Sequence, residues 1–353
     1  MRIACVSFYW GENEIGGAQV PAIALADWFK RLGLEADAVG FTGTGKPGKR
    51  FVKPSIPITL YKNKEYAEAL NSYDFIIFVT YGMRKDFNNN HSKYFDPIKT
   101  PFMGIIHGEG DPKLYLDYEI IDLHPYNKGY IITSDDSFEH FKYLKKPKYK
   151  IYPLTLPDYL LKSEDKWIDN PTGLVYAARL TSLKWINLLA EYSKSQTFRD
   201  TVGPIDVYGT APIWHIEDKI NKEIQPQWNR YDKFYSVYDI AANKEKLGKY
   251  KFYWEVFGNR RWKFYLRRLN LSAAEAISCG CVLIANPLSV PYSLLSTIRS
   301  VNIDGSDSTP DRLCKDLDLY YESRRERMRD ALLASEYSYR GVEAQVKDFI
   351  SKL

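Results

Sequence analysis

Short apolar runs alternate with amphipathic helical patterns along the whole chain. The runs RIACVSFY, EADAVGF, FIIFVTY, PFMGIIHG and GYIITS predict strands in the first half, as do GLVYAAR, PIDVYG and CVLIANP in the second. Apolar residues three or four apart predict intervening helices over 18–32 and 188–192. Continuous apolar strands joined by helices are typical of α/β folds with largely parallel sheets.

The chain of 353 residues is long for a single hydrophobic core and typical of two domains. A segment rich in proline and charge, KKPKYKIYPLTLPDYLLKSEDKWIDNPTG, separates the two groups of strands. We therefore predict two tandem nucleotide-binding-like halves, with the boundary near Asp169.

Charge and cysteine content limit the possible classes of protein. The 49 basic and 44 acidic residues give a net charge of +5, so a polyanionic partner must meet a local basic patch. The four cysteines show no metal or disulfide spacing, which predicts reduced thiols and a cytoplasmic protein. No apolar stretch reaches the roughly 18 residues of a spanning helix, so we expect a soluble protein without a membrane partner, with a peripheral membrane role as the alternative.

Three features predict a phosphate-binding site at the ends of strands. Gly16 and Gly17 lie between the first predicted strand and a helix, where backbone N–H groups can approach an anion; a tight turn would also explain them. Arg179 follows the first strand of the second half, and Lys184 comes five residues later. Both cations can converge at the strand's carboxyl end and suit a diphosphate, although solvated loop residues would look the same.

A further candidate lies in the sequence NLSAAEAISCGCVLIANP, which predicts a helix closed by Gly280 and then a strand. Glu275 is placed in the first turn of this helix. As a ligand-binding residue, it would accept hydrogen bonds from both hydroxyls of a ribose. Alternatively, Ser272-x-x-Glu275 is a capping box that stabilises the helix by about 1 kcal/mol.

These motifs together resemble the retaining family-4 glycosyltransferases with two Rossmann-like domains, the GT-B fold. The resemblance is carried by GGAQV, Arg179-x4-Lys184, the Tyr208-Gly209 turn and EAISCG. It implies that the glycine loops and the two cations hold the diphosphate of a UDP-sugar and that Glu275 holds the ribose. It requires no metal and no cofactor besides this donor substrate.

The resemblance also implies a domain arrangement. We expect an N-terminal Rossmann-like acceptor domain over 1–168 and a C-terminal Rossmann-like donor domain over 169–334, with a cleft between them. A C-terminal helix over 335–353 is expected to return to the N-terminal domain.

Within the family, the chain bears a closer resemblance to the DNA α-glucosyltransferases of T-even bacteriophages. The similar segments are MRIACVSFYWGENEIGGAQV, SIPITLYKNKEYAEAL, IIHGEGD, RLTSLKW and the closing VKDFISKL. This similarity implies sugar transfer, with retention, to the hydroxymethyl group of 5-hydroxymethylcytosine in double-stranded DNA. The donor would be UDP-glucose, or UDP-arabinose as in related phage enzymes.

Three positions depart from the family's pattern. Arg267 stands where many family members carry a second glutamate, eight residues before Glu275. His107, a catalytic candidate on the sugar side, is followed by Gly-Glu-Gly-Asp, so Glu109 and Asp111 are both candidates for the role of the usual aspartate. Asn270 replaces a glutamate expected near the donor sugar, which makes a donor other than glucose credible.

Two basic segments are candidates for contacts with DNA. A modified base must leave the stack to be glycosylated, which requires phosphate clamps and aromatic surfaces near the site. The run NRRWKFYLRR and the Gly- and Pro-rich loop 42–54 supply them, although an amphipathic helix and a solvated loop are the ordinary alternatives. The candidates are Lys46, Lys49, Arg50, Lys53, Arg260, Arg261, Lys263, Arg267 and Arg268.

The leading hypothesis is therefore a monomeric, cytoplasmic UDP-sugar:DNA glycosyltransferase, active in the host cytoplasm if a phage encodes it. The alternative is a family-4 glycosyltransferase that acts on a lipid-linked or surface glycan. A third hypothesis is a DNA-binding protein without catalysis on the same scaffold.

Overall fold

The computed structural model describes residues 1–7, 19–42, 57–79, 94–106, 121–133, 138–139, 141–177, 186–208, 233–235, 247–256, 269–287, 290–300, 309–317 and 321–353. The chain divides into two compact units. Unit 1 comprises Met1–Pro157 and Arg340–Leu353, and unit 2 comprises Asp158–Tyr339.

Each unit contains one sheet. The strands of unit 1 are β1 (Arg2–Ser7), β2 (Glu35–Thr42), β3 (Ile58–Lys62), β4 (Phe75–Phe78), β5 (Phe102–Ile106), β6 (Asn127–Ile132) and β7 (Lys148–Lys150). Those of unit 2 are β8 (Leu174–Ala177), β9 (Ile205–Tyr208), β10 (Lys233–Tyr235), β11 (Phe252–Glu255), β12 (Val282–Ala285) and β13 (Arg299–Ser300).

Helices connect many of these strands. They are α1 (Gln19–Arg31), α2 (Tyr66–Asn71), α3 (Pro157–Leu161), α4 (Ile186–Tyr192), α5 (Gln196–Val202), α6 (Leu271–Ser278), α7 (Pro310–Leu317), α8 (Tyr321–Leu333) and α9 (Tyr339–Ile350). Two short 3₁₀ helices cover Asn63–Glu65 and Tyr292–Thr297. All eight predicted strands are confirmed, and so are the helices predicted over 18–32 and 188–192.

Both sheets have the strand order of a Rossmann-like fold. The order is β3-β2-β1-β4-β5-β6-β7 in unit 1 and β10-β9-β8-β11-β12-β13 in unit 2, and every described pair of strands is parallel. The order reverses beside β1 in the first sheet and beside β8 in the second. Open α/β sheets bind ligands at the carboxyl ends of the strands that flank such a reversal. The predicted fold class is therefore confirmed.

The C-terminal helix α9 belongs to unit 1, as the predicted fold requires. Phe349 is fully buried and stacks on Phe29 of α1 with ring centroids 6.0 Å apart. It also meets Tyr149 of β7 edge-on at 5.4 Å. The side-chain amide of Gln345 accepts a hydrogen bond from the backbone N–H of Tyr152 at 2.9 Å and donates one to its carbonyl at 3.2 Å. These contacts make α9 an integral part of the unit.

Residues 158–168, which the sequence placed in the first domain, group with unit 2. Trp167 accounts for this assignment, because its Nε1 donates to the carbonyl of Ser278 at 3.0 Å. Arg325 of α8 adds to it by donating to the carbonyl of Ile168 at 2.7 Å. The Pro-rich segment therefore enters unit 2 before Asp169.

Gly280 ends α6 in the way that the sequence predicted. Its φ is +93°, and the N–H groups of Gly280 and Cys281 donate to the carbonyls of Ile277 and Ala276, both at 3.0 Å. This pair of bonds is a Schellman motif, which favours glycine at the left-handed position. A Cβ on Gly280 would also lie 2.9 Å from Cδ2 of Trp167. Both conformation and space therefore require glycine here.

We expect Gly280→Ala to lower the free energy of unfolding by about 2–3 kcal/mol, since left-handed backbone and overpacking each cost about 1 kcal/mol or more. Gly33→Ala is the matched control, because Gly33 has a φ of +84° with nothing within 4 Å of an added Cβ. The control should lose only the conformational part, about 1 kcal/mol. Urea titrations of both variants measure the difference; equal losses would show that contact with Trp167 contributes nothing.

All four cysteines lie within the described ranges, buried and with free thiols. Burial raises the pKa of the Cys5 thiol and of the Cys281 thiol, so neither is readily deprotonated. The prediction of reduced thiols is confirmed. Within the described part of the chain, no helix has the length and apolar character needed to cross a bilayer.

Candidate functional site

The candidate site lies at the carboxyl edge of the second sheet, where the strand order reverses. β8 ends there at Ala177, and the adjacent β11 ends at Glu255. Helix α6 leads into β12, which runs parallel to β11, so the first residues of α6 lie at the same edge. The described ends of two strands and one helix thus converge at the position where α/β sheets bind ligands.

Glu275 is a buried carboxylate in the second turn of α6. The helix begins after Asn270, which has an extended conformation (φ −63°, ψ 153°) and whose carbonyl accepts the first helical bond, from the N–H of Ala274 at 2.9 Å. The expected first-turn position of Glu275 is therefore wrong. The capping box with Ser272 is wrong as well, because Ser272 is already the second helical residue. With 2 % of its surface exposed, Glu275 is not a solvated surface charge.

Glu255 is a second buried carboxylate, which the sequence analysis missed. It is the last residue of β11, it is 3 % exposed, and one of its oxygens, Oε1, accepts a hydrogen bond from Nδ2 of Asn270. Asn270 is the N-cap residue of α6, yet its side chain makes no capping hydrogen bond. Its amide is directed to the carboxylate of Glu255 instead. The structure thus places Asn270 at the site and gives it an acidic partner.

Tyr253 links the ends of β8 and β11 through a hydrogen bond. It lies two residues before Glu255 on the same face of β11, and its hydroxyl donates to the carbonyl of Ala177 at 2.8 Å. Burial is the main cause that raises the pKa of Tyr253, and the negative charges of Glu255 and Glu275 add to it. Tyr253 therefore stays protonated, and its hydroxyl remains a hydrogen-bond donor throughout the neutral pH range.

A separate polar cluster lies beside β9. The Tyr250 hydroxyl donates to Oδ2 of Asp206 at 2.5 Å and lies 3.1 Å from the hydroxyl of Tyr208. Burial, followed by the bonds to Asp206 and Tyr208, raises the pKa of Tyr250, so its phenol keeps its proton. It anchors Tyr208, the first residue of the Tyr-Gly turn that the sequence singled out.

Of the predicted site residues, only Asn270 and Glu275 lie within the described residues. The two lie on α6, Asn270 at its N-cap and Glu275 in its second turn, with Glu255 hydrogen-bonded to Asn270. Nothing is described for the remaining predicted residues, which are Gly16, Gly17, Lys46, Lys49, Arg50, Lys53, His107, Glu109, Asp111, Arg179, Lys184, Gly209, Arg260, Arg261, Lys263, Arg267 and Arg268. Among the side chains that are described, no three His, Cys, Asp or Glu residues form a group able to hold a metal ion.

Comparison with known proteins relates the chain to solved structures only. No protein-family model and no curated protein matches it. A T4 α-glucosyltransferase in complex with UDP is similar over 99 % of this chain and 100 % of its own, with a TM-score of 0.71 and 16 % identity. The α-glucosyltransferase in complex with UDP-glucose and DNA containing an abasic site is similar over 99 % of both chains, with a TM-score of 0.69 and 17 % identity.

The pneumococcal O-GlcNAc transferase GtfA, solved with UDP and GlcNAc, is similar over 100 % of this chain and 99 % of its own. Its TM-score is 0.61 at 11 % identity. Identities this low relate folds rather than activities. Together with the strand orders of the two sheets and the returning helix α9, the likeness shows that this chain has the GT-B glycosyltransferase fold from end to end.

Proposed function

We propose that the protein is a UDP-sugar-dependent glycosyltransferase. The sugar, glucose or arabinose, is transferred with retention to the hydroxymethyl group of 5-hydroxymethylcytosine in double-stranded DNA. The observation that carries this proposal is the likeness over both whole chains to α-glucosyltransferases solved with UDP-glucose and with DNA. Another α-glucosyltransferase structure, similar over 99 % of both chains, contains UDP and a 13-mer DNA with an HMU base, which supports a hydroxymethylated base as the acceptor.

The donor side of the proposal is built on unit 2. Glu275 accepts hydrogen bonds from the ribose hydroxyls of UDP, a role that suits a buried carboxylate beside the reversal of strand order. Arg179 follows the last residue of β8 by two positions, and Lys184 follows it by seven. We assign both cations to the diphosphate, with Gly209 after β9. No metal or other cofactor is part of the proposal.

The reaction breaks the bond between the anomeric carbon and the oxygen of the UDP β-phosphate. The hydroxymethyl oxygen of the base forms the new bond on the same face of the sugar, and its proton passes to the departing diphosphate. Charge therefore develops on UDP, and cations at the diphosphate stabilise the transition state.

The acceptor side of the proposal concerns unit 1. His107 follows the last residue of β5 directly in the sequence. Gly16 and Gly17 lie between β1 and α1 in the sequence and keep the donor-binding assignment that the resemblance implies. We assign His107 to the sugar side, with Glu109 or Asp111 beside it. DNA phosphates are assigned to the basic segments at 46–53 and 260–268.

The test is transfer to DNA of defined composition. A duplex containing 5-hydroxymethylcytosine and a matched cytosine duplex are incubated with the protein and one of several UDP-sugars, then digested to nucleosides and analysed by mass spectrometry. We expect one hexose or pentose added per modified base and none on the cytosine duplex. No transfer from any of the UDP-sugars to the modified duplex would contradict the proposal.

The same fold supports a second candidate function, because GtfA and AviGT4, a glycosyltransferase of avilamycin A biosynthesis, are also similar over nearly their whole lengths. In that case the acceptor would be a lipid-linked or surface glycan. Hydrolysis of a UDP-sugar or sugar transfer to such acceptors, together with no transfer to the modified DNA, would favour this second candidate function.

A further inference from the structure

Asn270 and Glu255 form a hydrogen-bonded pair with one buried and one more exposed end. Glu255 is nearly inaccessible at the carboxyl end of β11, whereas Asn270 is only half-buried at the start of α6. The amide of Asn270 is therefore the part of the pair that a ligand can reach. The carboxylate of Glu255 acts on that ligand through the amide.

The chemistry of the pair fixes the orientation of the amide. An ionised carboxylate only accepts hydrogen bonds, so Asn270 must present its NH₂ group to Glu255, as the contact between Nδ2 and Oε1 shows. The amide oxygen Oδ1 then points away from Glu255. Asn270 consequently offers its surroundings an acceptor, and a ligand that donates a hydrogen bond is favoured.

The side chain of Asn270 contacts Glu255 and does not make the capping hydrogen bond that is usual for an N-cap asparagine. Asparagine at an N-cap normally accepts a hydrogen bond from a backbone N–H two or three residues later, and that bond is absent here. Helix α6 forgoes this stabilisation while Asn270 binds a buried carboxylate. A purely structural N-cap would not need Glu255.

We propose that Glu255 is a positioning residue that holds Asn270 with Oδ1 toward the donor, where it accepts a hydrogen bond from one hydroxyl of the transferred sugar. The inference rests on the proposed function, because it names the sugar of the UDP-sugar as the ligand. The pair lies at the same reversal of strand order as the proposed ribose contact, Glu275, which is on the same helix as Asn270, one turn further along. The pair thereby determines which sugar is accepted, whereas UDP alone does not depend on it.

The experiment separates recognition of the sugar from recognition of UDP. Calorimetry measures the binding of UDP, UDP-glucose, UDP-arabinose and the monodeoxy analogues of both sugars to the wild type, Glu255→Gln and Asn270→Ala. The control is Glu191→Gln, which changes an exposed glutamate of α4 that pairs with Lys194. Thermal unfolding of each variant reports on the fold.

In the wild type, one monodeoxy analogue should bind about tenfold more weakly than its parent, because a buried acceptor loses its donor. The ratio of the dissociation constants of this analogue and its parent should fall to about one in Asn270→Ala. In Glu255→Gln it should fall to about two or three, because a glutamine can pair with Asn270 in either orientation. UDP should bind all variants equally.

If the ratio of the dissociation constants of the deoxy analogue and its parent stays at the wild-type value in Glu255→Gln and Asn270→Ala, this inference is overturned and the proposed function is not. A loss of UDP affinity equal to the loss of UDP-sugar affinity would also overturn it, because that would indicate a merely structural role. A wild type that binds neither UDP nor any UDP-sugar would overturn the proposed function and this inference together.

Discussion

Replacing Glu275 with glutamine is expected to reduce the affinity for UDP about 30- to 100-fold and kcat/KM for the UDP-sugar by a similar factor. Glutamine keeps the size of the side chain but removes the charge and one of two acceptor oxygens. Hydrogen bonds to a charged group contribute about 1.5–3 kcal/mol, and tenfold corresponds to about 1.4 kcal/mol. Isothermal titration with UDP and initial rates with the UDP-sugar measure both effects.

This variant differs in kind from Glu255→Gln. Glu275 is assigned to the ribose, which UDP itself carries, so Glu275→Gln must weaken UDP binding. Glu255 positions Asn270 for the transferred sugar, so Glu255→Gln must leave UDP binding unchanged. Glu191→Gln serves again as the surface control and should bind UDP like the wild type. Wild-type affinity for UDP in Glu275→Gln would remove Glu275 from the site.

Replacing Phe349 with alanine is expected to lower the free energy of unfolding of unit 1 by about 3–5 kcal/mol, the usual cost of truncating a buried phenylalanine. The ring is fully buried between Phe29 and Tyr149, so its removal leaves a cavity that neither neighbour can fill. Denaturant titration measures the loss, and limited proteolysis should show earlier cleavage within α9.

Ile350→Ala is the control for this variant, because the neighbouring residue in the same helix is only half-buried. It should cost about 1 kcal/mol or less. If Phe349→Ala unfolds at the same denaturant concentration as this control, α9 does not contribute to the core of unit 1.

Several strands that the sequence predicted, such as β1 and β12, lie in continuous apolar runs, whereas the missed strands β11 and β13 do not. β1 and β12 are covered on both faces, so nearly every residue is apolar and the pattern is visible. β11, FYWE, is as long as β12 but follows Tyr250 and Lys251 and ends on Glu255, and β13 has two residues. Neither is a continuous apolar run, so only pairing with neighbouring strands identifies them.

The same limit explains what was missed at the site. Glu255 looks like an ordinary surface glutamate in the sequence, because its burial follows from the position of β11 beside β8. The start of α6 depended on the backbone: Asn270 and Ser272 are both good N-cap residues, and the extended conformation at Asn270 decides between them. The helix, the terminal glycine and the following strand around Glu275 formed as expected, whereas its expected first-turn position was wrong. Its role as a ribose-binding residue stays a prediction.

Because α9 completes unit 1 from beyond unit 2, the first unit is discontinuous along the chain. On a ribosome, which makes the chain from its amino end, all of unit 2 emerges before the segment that supplies Gln345 and Phe349. Until α9 is synthesised, the surface of unit 1 around Phe29 and Tyr152 therefore lacks this helix. Unit 2 is complete earlier and can fold first.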